Sequence, residues 1–584
     1  MNPIILTALA LLAPESALPA SPAQNLTTIA EQSSWQRTGR YDEVDRLCHA
    51  FAARSHSAGV ACERFGTTPE HRPMFALSVG KKGLPTMLFQ GGIHAGEIDG
   101  KDAGFEFMRQ YLDGEILDKA AMAKVRLVFV PVFNIDGHER FGAWHRPNQV
   151  GPAEMGWRTT AQNLNLNRDY IKAEAPEMRA MLKLLGREDP IVYMDLHVTD
   201  GANFQHDVAV LVLPDQPDAP KGLAAAATAL RARLQLALTE AKHLPLTDFY
   251  PSFVREDDPT GGFAMGFTPP RFSDAYWATR NRLGILVETH SWKDYATRVK
   301  ATRDTLVAIV RELAAHGVEW QKAARAADTQ PLAGQKLVLD WKVDEHESRP
   351  IDFLGYAYQR SLSPISNKQQ IHYDDKTPQV WHIPYFDALV PTVTAQLPKE
   401  GWVVAPAWAE IVRPILIAHG ITFLRLTPRA LDVDVFHADD AHEAPMTFEG
   451  RTMVTARGAW KPEKKTLVDG GLFIPVAQPL ARLAANILEP EAPDSLTSWG
   501  FFDSVFERKE YMEDYVLEDV AAEMLKDPTV KAAFDKALAN PDFAKSPRKR
   551  LDFFYARHAS FDAAIGVIPV YRLQQPLVAK RATK

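Results

Sequence analysis

The chain has 584 residues, of which 46% are apolar and 24% are charged, and its net charge is −7. Because one hydrophobic core stops growing at about 250–300 residues, this length predicts two domains. The acidic balance, with no basic cluster among aromatic residues, excludes nucleic acid as the expected partner.

The first residues have the composition of an export signal. An apolar run over residues 4–13 is followed by small residues and prolines. We therefore predict a signal peptide over residues 1–23 and an exported protein, either periplasmic or secreted. The alternative is an apolar terminus without a targeting role, since no Lys or Arg precedes the run. No segment is long and apolar enough to predict a membrane span.

Two cysteines, Cys48 and Cys62, come next in the chain. In an oxidising compartment they could form a disulfide across a short loop. They could equally be two buried thiols that never meet, because the sequence does not fix their separation in space. Both interpretations stay open at this point.

Short β-type runs alternate with helical segments from about Arg40 to Lys322. Strands of this kind, without strict alternation and separated by helices, are typical of a mostly parallel or mixed sheet with helices on both faces. We therefore predict an α/β domain over residues 35–325. The runs of strand length are residues 86–90, 125–133, 191–196, 208–213 and 284–288.

The pattern of the sequence changes after a polar stretch at residues 324–335, which we predict to be a linker. Residues 401–426 predict strand, helix and strand, with Gly420 ending the helix. β-Hairpins follow, then a helix opened by Pro479, and the last eighty residues or so are charged and helical. We predict a mixed α/β domain over residues 336–584 and assign it no role.

Polar side chains follow three of the predicted strands. His94 and Glu97 lie three residues apart after two glycines, His197 ends a strand, and Glu288 ends another. Parallel strands bring such positions to one edge of a sheet. Two histidines and a carboxylate with a free fourth position form a hydrolytic zinc site. Glu288 could accept a proton from zinc-bound water, whose pKa falls to about 7.

Five segments in this order resemble the metallocarboxypeptidase family related to carboxypeptidase A. The resemblance spans about Tyr41 to Lys322 and is closest to an exported bacterial branch with a long C-terminal extension. The segments are GGIHAGEIDG, NIDGHERFG, EMGWRTTAQNLNLNRDY, MDLHVTDG and ILVETHSW. The resemblance implies a carboxypeptidase-like fold, a peptide substrate with a free C-terminal carboxylate, and one zinc ion.

The resemblance also implies a role for each matching residue. His94, Glu97 and His197 correspond to the zinc ligands. Glu288 corresponds to the general base that later protonates the departing amine. The remaining matches are Arg158, which would stabilise the oxyanion, and Asn167 and Arg168, which would bind the substrate carboxylate.

Three positions depart from the family pattern. Asn165 stands where many members have an Asp that orients a zinc histidine, although an amide oxygen can also accept an imidazole N–H. The usual tyrosine before the glutamate is missing, and neither Tyr250 nor Tyr276 is assigned to its role. Ser273 and Asp274, beside Arg271 in the region that often sets specificity, predict no particular side-chain preference.

Three functions are consistent with this pattern. The leading hypothesis is a metallocarboxypeptidase that removes a C-terminal residue from peptides, possible substrates including cell-wall peptides. The alternative is a deacylase of N-acyl amino acids, of the aspartoacylase or succinylglutamate type. A third is a zinc-containing peptide-binding protein without turnover, against which the presence of Glu288 argues.

Overall fold

A computed structural model describes residues 26–55 and 59–577 of the chain. The predicted signal peptide, residues 1–23, lies outside the described residues. None of the helices in the described part is both long and apolar enough to cross a membrane.

The described residues of the first half of the chain form nine strands and nine α-helices. The strands are β1 (Ala61–Thr67), β2 (Pro73–Val79), β3 (Thr86–Gly91), β4 (Arg126–Val130), β5 (Val192–Val198), β6 (Val208–Leu213), β7 (Pro245–Leu246), β8 (Phe263–Ala264) and β9 (Leu283–Thr289). The helices are α1 (Ile29–Gln32), α2 (Tyr41–Arg54), α3 (Asp99–Leu112), α4 (Lys119–Met122), α5 (Ile135–Glu139), α6 (Pro176–Glu188), α7 (Lys221–Glu240), α8 (Ser273–Thr279) and α9 (Tyr295–Asp328).

Eight of these strands form one mixed sheet in the order β1-β2-β4-β3-β5-β9-β6-β7. The central strands β4, β3, β5 and β9 are parallel, and antiparallel pairs flank them. Tyr193 and Leu196 point to opposite faces of β5 because side chains alternate along a strand. Tyr193 contacts Trp277 of α8, whereas Leu196 packs closely against Gly100 of α3. Helices therefore cover both faces, and the predicted α/β architecture is confirmed.

The start of this half is tied to the sheet by a disulfide. Cys48 of α2 is bonded to Cys62 of β1, with 5.4 Å between their Cα atoms. The two cysteines are thus partners, which decides between the two interpretations that the sequence leaves open.

The predicted linker at residues 324–335 is wrong in its first part, because α9 continues to Asp328. The alanines of this stretch are strong helix formers, and Trp320 and Ala324 are buried against the core. The connection to the second half is correspondingly short.

In the second half, ten strands and six α-helices lie within the part that the structure describes, which ends at residue 577. The strands are β10 (Lys336–Val343), β11 (Arg349–Leu362), β12 (Gln369–Phe386), β13 (Leu389–Gln396), β14 (Gly401–Val404), β15 (Leu424–Arg425), β16 (Arg429–Glu443), β17 (Val454–Leu467), β18 (Leu472–Pro475) and β19 (Val567–Leu573). The helices are α10 (Ala409–His419), α11 (Ala481–Leu488), α12 (Asp514–Met524), α13 (Pro528–Leu538), α14 (Pro541–Ala544) and α15 (Pro547–Tyr555).

Six strands of this half form a second sheet in the order β15-β18-β14-β19-β16-β17. The predicted strand, helix and strand over 401–426 correspond to β14, α10 and β15, and Gly420 caps α10 with φ +71°. The long β11–β12 hairpin pairs with β8 of the first half through Tyr385 and Phe263. The two halves therefore share a three-stranded sheet beside the edge of the first sheet.

Candidate metal centre and substrate pocket

The predicted site residues meet at the carboxyl ends of the central parallel strands. After β3 the chain turns at Gly92, which has φ +61°, a conformation that favours glycine. His94 and Glu97 lie in the turn that follows. His197 is near the end of β5, and its register partner on β9 is Glu288. One edge of the sheet thus carries all four side chains.

The side chains of His94, Glu97 and His197 converge on one point. Their potential ligand atoms all lie within 4.8 Å of one another. Glu97 Oε1 is 3.0 Å from His94 Nδ1, and Glu97 Oε2 is 2.9 Å from His197 Nδ1. All three residues are buried. Two imidazoles and a carboxylate are the protein ligands of many catalytic zinc sites, so the donor set fits zinc.

Each imidazole is held at its other nitrogen by an oxygen atom. His94 Nε2 is 3.1 Å from Asn165 Oδ1, and His197 Nε2 is 2.9 Å from Asp195 Oδ2. Both Nδ1 atoms therefore face Glu97, and the buried Nδ1 of His94 has no hydrogen bond of good geometry among the described residues. Partners of this kind fix the orientation of metal-binding histidines. The amide oxygen of Asn165 occupies the position expected of an orienting group.

The electrostatics of the site suit ligands for a cation. Burial lowers the pKa of His94 to about 4, which keeps this imidazole neutral. Although burial opposes it, Arg146 together with the histidines holds the pKa of Glu97 well below its usual value. Asp195 raises the pKa of His197 against the effect of burial. A metal ion would therefore compete with a proton for His197.

Two arginines contact the carboxylate of Glu97. Arg158 Nη1 donates to Glu97 Oε1 at 3.1 Å, and Arg146 Nη1 lies 2.9 Å from the same atom. Sequence reasoning selected Arg158 but missed Arg146, because an arginine in a loop is ordinarily exposed. Its burial, with 7% of its surface exposed, is visible only in the folded chain.

A pocket of about 350 Å³ opens next to the three candidate ligands. Glu288 lines it, and burial raises the pKa of this carboxyl to about 8. Tyr250 lines the pocket too, whereas Tyr276 is buried elsewhere and bonds to His419. The structure thus separates two tyrosines that the sequence does not distinguish.

Asn167 and Arg168 form one wall of the same pocket. The guanidinium of Arg168 lies 3.9 Å from the ring centre of Phe272 and donates to the carbonyl oxygen of Asn167. Across the described residues, no carboxylate forms an ion pair with Arg168. Burial lowers its pKa to about 10, so the group stays charged at neutral pH.

Ser273 and Asp274 differ in their relation to the pocket. The backbone N–H of Ser273 donates to Asn167 Oδ1 at 2.9 Å and so supports the wall from behind. Asp274 lines the pocket, and burial raises the pKa of its carboxyl to about 6. Asp215 and Asp248 also line it, but sequence reasoning did not single them out.

Comparison with known proteins identifies the first half of the chain. Residues 46–248 match the model of a protein family described as zinc carboxypeptidase. The three candidate zinc ligands, Arg158, Asn167 and Arg168 fall within this match, and Glu288 lies beyond it. The first half therefore contains a zinc carboxypeptidase domain and is a zinc metallopeptidase. No match was found among curated proteins.

Solved structures similar to this chain include three carboxypeptidases. A metallo-carboxypeptidase from Burkholderia cenocepacia is 16% identical over 46% of this chain and 69% of its own, with a TM-score of 0.34. One from Pseudomonas aeruginosa, in complex with (2-guanidinoethylmercapto)succinic acid, is 19% identical over 47% and 69%, with a TM-score of 0.34. Carboxypeptidase A from Helicoverpa armigera is 15% identical over 50% and 75%, with a TM-score of 0.35.

Proposed function

We propose that this zinc metallopeptidase removes the C-terminal residue from peptides that end in a free carboxylate. The observation that carries the proposal is the position of Arg168 in the same pocket as the three candidate zinc ligands. A half-buried guanidinium without an acidic partner in the described part of the chain suits a carboxylate, which its planar fork binds through two hydrogen bonds.

In the proposed reaction, His94, Glu97 and His197 would hold a zinc ion, which would supply a Lewis acid for the scissile carbonyl and for water. Glu288 accepts the proton of the attacking water and delivers it to the nitrogen of the departing amino acid. The water oxygen forms a bond to the carbonyl carbon as the C–N bond breaks. Glu288 Oε2 is buried and makes no hydrogen bond to described residues, so it is free for this exchange.

Two further side chains contribute hydrogen-bond donors. Arg158 donates to the carbonyl oxygen as negative charge develops on it, where such donors contribute most. Burial raises the pKa of Tyr250, so its hydroxyl stays protonated and can donate to the substrate. Asn167 and Arg168 hold the terminal carboxylate and so fix which peptide bond reaches the metal centre.

A paired substrate assay tests this proposal. One peptide is presented as the free acid and as the C-terminal amide, alongside a series of N-acyl amino acids, with and without a chelator. We expect the free acid to lose one residue, as shown by mass, and the amide to react more than about 100-fold more slowly. Chelation should stop the reaction, and zinc should restore it.

Two variants test whether Arg168 is the residue that causes the preference for the free acid. Arg168→Gln should remove the preference for the free acid, whereas Arg425→Gln, at an exposed arginine paired with Asp469, should not. Equal rates on acid and amide in the wild type would contradict the proposal. Faster cleavage of N-acyl amino acids would instead favour a deacylase.

We also propose that the protein is exported. The Cys48–Cys62 disulfide supports this, because disulfides persist mainly in oxidising compartments. Cell fractionation and sequencing of the mature N-terminus test the proposal, with cleavage after Ala23 expected. Cytoplasmic protein that retains residues 1–23 would contradict it. Cell-wall peptides are then natural substrates to include in the assay.

A further inference from the structure

The tip of the β16–β17 hairpin is a two-residue turn that reaches the first half of the chain. Phe448 and Arg451 exchange two backbone hydrogen bonds, which leaves Glu449 and Gly450 as the turn. Both have positive φ, +49° and +78°. Asn, Asp and Gly are the residues that favour this conformation, so Glu449 is strained there. A strained residue in an ordered turn motivates the hypothesis that its side chain has a function.

Glu449 contacts the loop that carries the carboxylate-binding residues. Its Oε2 accepts the backbone N–H of Asn165 at 2.8 Å. The side-chain oxygen of Asn165 in turn accepts the backbone N–H of Asn167 at 2.9 Å and lies 3.1 Å from His94 Nε2. Glu449 thus holds the start of the turn Leu166–Arg168 in place.

A second contact from the same half of the chain supports the other side of Arg168. Asp494 Oδ2 accepts the backbone N–H of Arg271 at 2.7 Å, and Asp494 Oδ1 lies 2.8 Å from the side-chain Nε of Arg271. The next residue, Phe272, provides the ring over which the Arg168 guanidinium is placed. Asp494 is fully buried. Glu449 and Asp494 are therefore two anchors through which the second half of the chain contacts the pocket wall.

The two anchors are joined through aromatic packing and a further ion pair. Trp499 stacks on Phe448 beside the turn and also lies 5.5 Å from the guanidinium of Arg271. Arg451, on the other side of the turn, pairs with Glu174 of the first half at 2.5 Å. The hairpin tip therefore has a defined position relative to the pocket.

The charges of the two anchors act in the same direction. Burial, Arg158 and Arg271 all lower the pKa of Arg168, whereas Glu449 and Asp494 raise it. The carboxylates of Glu449 and Asp494 thereby stabilise the charged form of Arg168, whose guanidinium has no direct acidic partner in the described structure.

We propose that Glu449 and Asp494 are positioning residues, through which the second half of the chain holds Arg168 for recognition of the substrate carboxylate. This inference rests on the proposed carboxypeptidase function. It gives residues beyond the zinc carboxypeptidase domain a part in its specificity.

The strain at Glu449 allows a test that separates positioning from folding. Glu449→Gly removes the carboxylate and relieves the positive φ, so the turn itself is not weakened. If Glu449 only builds the turn, this variant keeps its kinetics and melting temperature. If Glu449 positions the loop around Asn165, the variant binds the substrate carboxylate more weakly, although its turn is less strained.

The assay compares the full-length chain on one peptide as free acid and as amide. For Glu449→Gly we expect KM on the free acid to rise by about ten- to a hundredfold with a smaller change in kcat. The ratio of free-acid to amide rates should fall by a similar factor. Glu449→Gln, whose amide oxygen can still accept the Asn165 N–H, should recover most of this loss. Glu443→Gln, at an exposed glutamate at the end of β16, is the matched control and should behave as wild type.

Each result of this assay either supports or overturns the positioning role of Glu449. A wild type that prefers the free acid, with an unchanged preference in Glu449→Gly, overturns the inference and leaves the proposed function intact. A wild type without the preference contradicts the proposed function, and the inference falls with it. If Glu449→Gly fails to fold, Asp494→Ala, which removes both oxygens that hold Arg271, provides an independent measurement with the same expected loss and the same overturning result.

Discussion

Asn165 contacts both a candidate metal ligand and the turn that carries Arg168. Its side-chain oxygen meets His94 Nε2 and also accepts the N–H of Asn167. A neutral amide raises the basicity of the imidazole less than a carboxylate would. The zinc affinity of this site should therefore respond to the chemistry of residue 165 in both directions.

We predict that Asn165→Ala weakens zinc binding by about 10- to 100-fold, because His94 loses the oxygen that orients it. Asn165→Asp should tighten binding, since a carboxylate at the same place makes the imidazole more basic. Competition with a chromogenic chelator measures both affinities. Gln162→Ala, at an exposed residue in the same loop, is the control, and equal affinities in all four proteins would contradict the prediction.

Glu288 should be required for turnover but not for metal binding. We predict that Glu288→Gln lowers kcat by about 10²- to 10⁴-fold, the range typical of a general base, because an amide cannot accept the proton of water. The zinc content, measured by elemental analysis, should match that of wild type. Glu256→Gln, at an exposed glutamate, is the control. An undiminished kcat in Glu288→Gln would exclude the proposed role.

The sequence predicted those site residues whose positions follow from strand ends. His94, Glu97, His197 and Glu288 could be selected because parallel strands bring such positions to one edge. Asp195 was missed although a signal existed, since residues two apart on β5 point to the same side. For Arg146 and Tyr250 no pattern existed, because only the fold of long loops brings Arg146 to Glu97 and Tyr250 to the pocket.

At the scale of elements, one histidine joins three segments around the first sheet. His243, in the loop between α7 and β7, lies 2.8 Å from Asp207, immediately before β6, and 2.9 Å from Asp304 of α9. Although burial opposes it, these two carboxylates raise the pKa of His243 to about 9. The protonated imidazole thus stabilises the contact of α9 with the sheet edge.

This pKa predicts the direction in which stability depends on pH. The contribution of His243 is complete below the unfolded pKa, near 6.5, and is lost as pH rises through about 9. We expect the free energy of unfolding of wild type, relative to His243→Gln, to fall by on the order of 2 kcal/mol between pH 6 and pH 10. Denaturant titrations of both proteins across this range measure it, and a constant difference would contradict the prediction.

Elements with a clear apolar period were predictable, and those without one were not. The strands β3, β5, β6 and β9 are buried runs of apolar residues, and the sequence places them well. The longer strands β11 and β12 were missed because much of each is exposed and polar. They are held mainly by pairing with each other and with β8, which is a non-local property.

At the scale of the molecule, the second half contributes to the rim of the pocket. Met265, which lines the pocket, donates its backbone N–H to Phe386 of β12, and Leu389 of β13 also lines it. Sequence reasoning gave this half no role, because its residues carry no recognisable chemical motif. Its contribution depends on where the fold places it.

A pocket with such a rim should admit extended chain ends and exclude bulky ones. We predict that a short peptide is cleaved much faster than a folded protein with the same C-terminal sequence ending at its surface. Mass spectrometry of both substrates, at equal concentrations, measures the difference. Unfolding the protein substrate by reduction should restore the rate, and equal rates on the folded substrate would contradict a restrictive rim.

The order of strands in the second sheet has a consequence for biosynthesis. β19 lies between β14 and β16, so the strand made last in this sheet joins two strands that were made long before it. The sheet that supports the β16–β17 hairpin cannot close until translation has passed Leu573. Complete carboxylate selection should therefore appear only once β19 has left the ribosome, which links proteolytic competence to the synthesis of a strand far along the chain from the pocket.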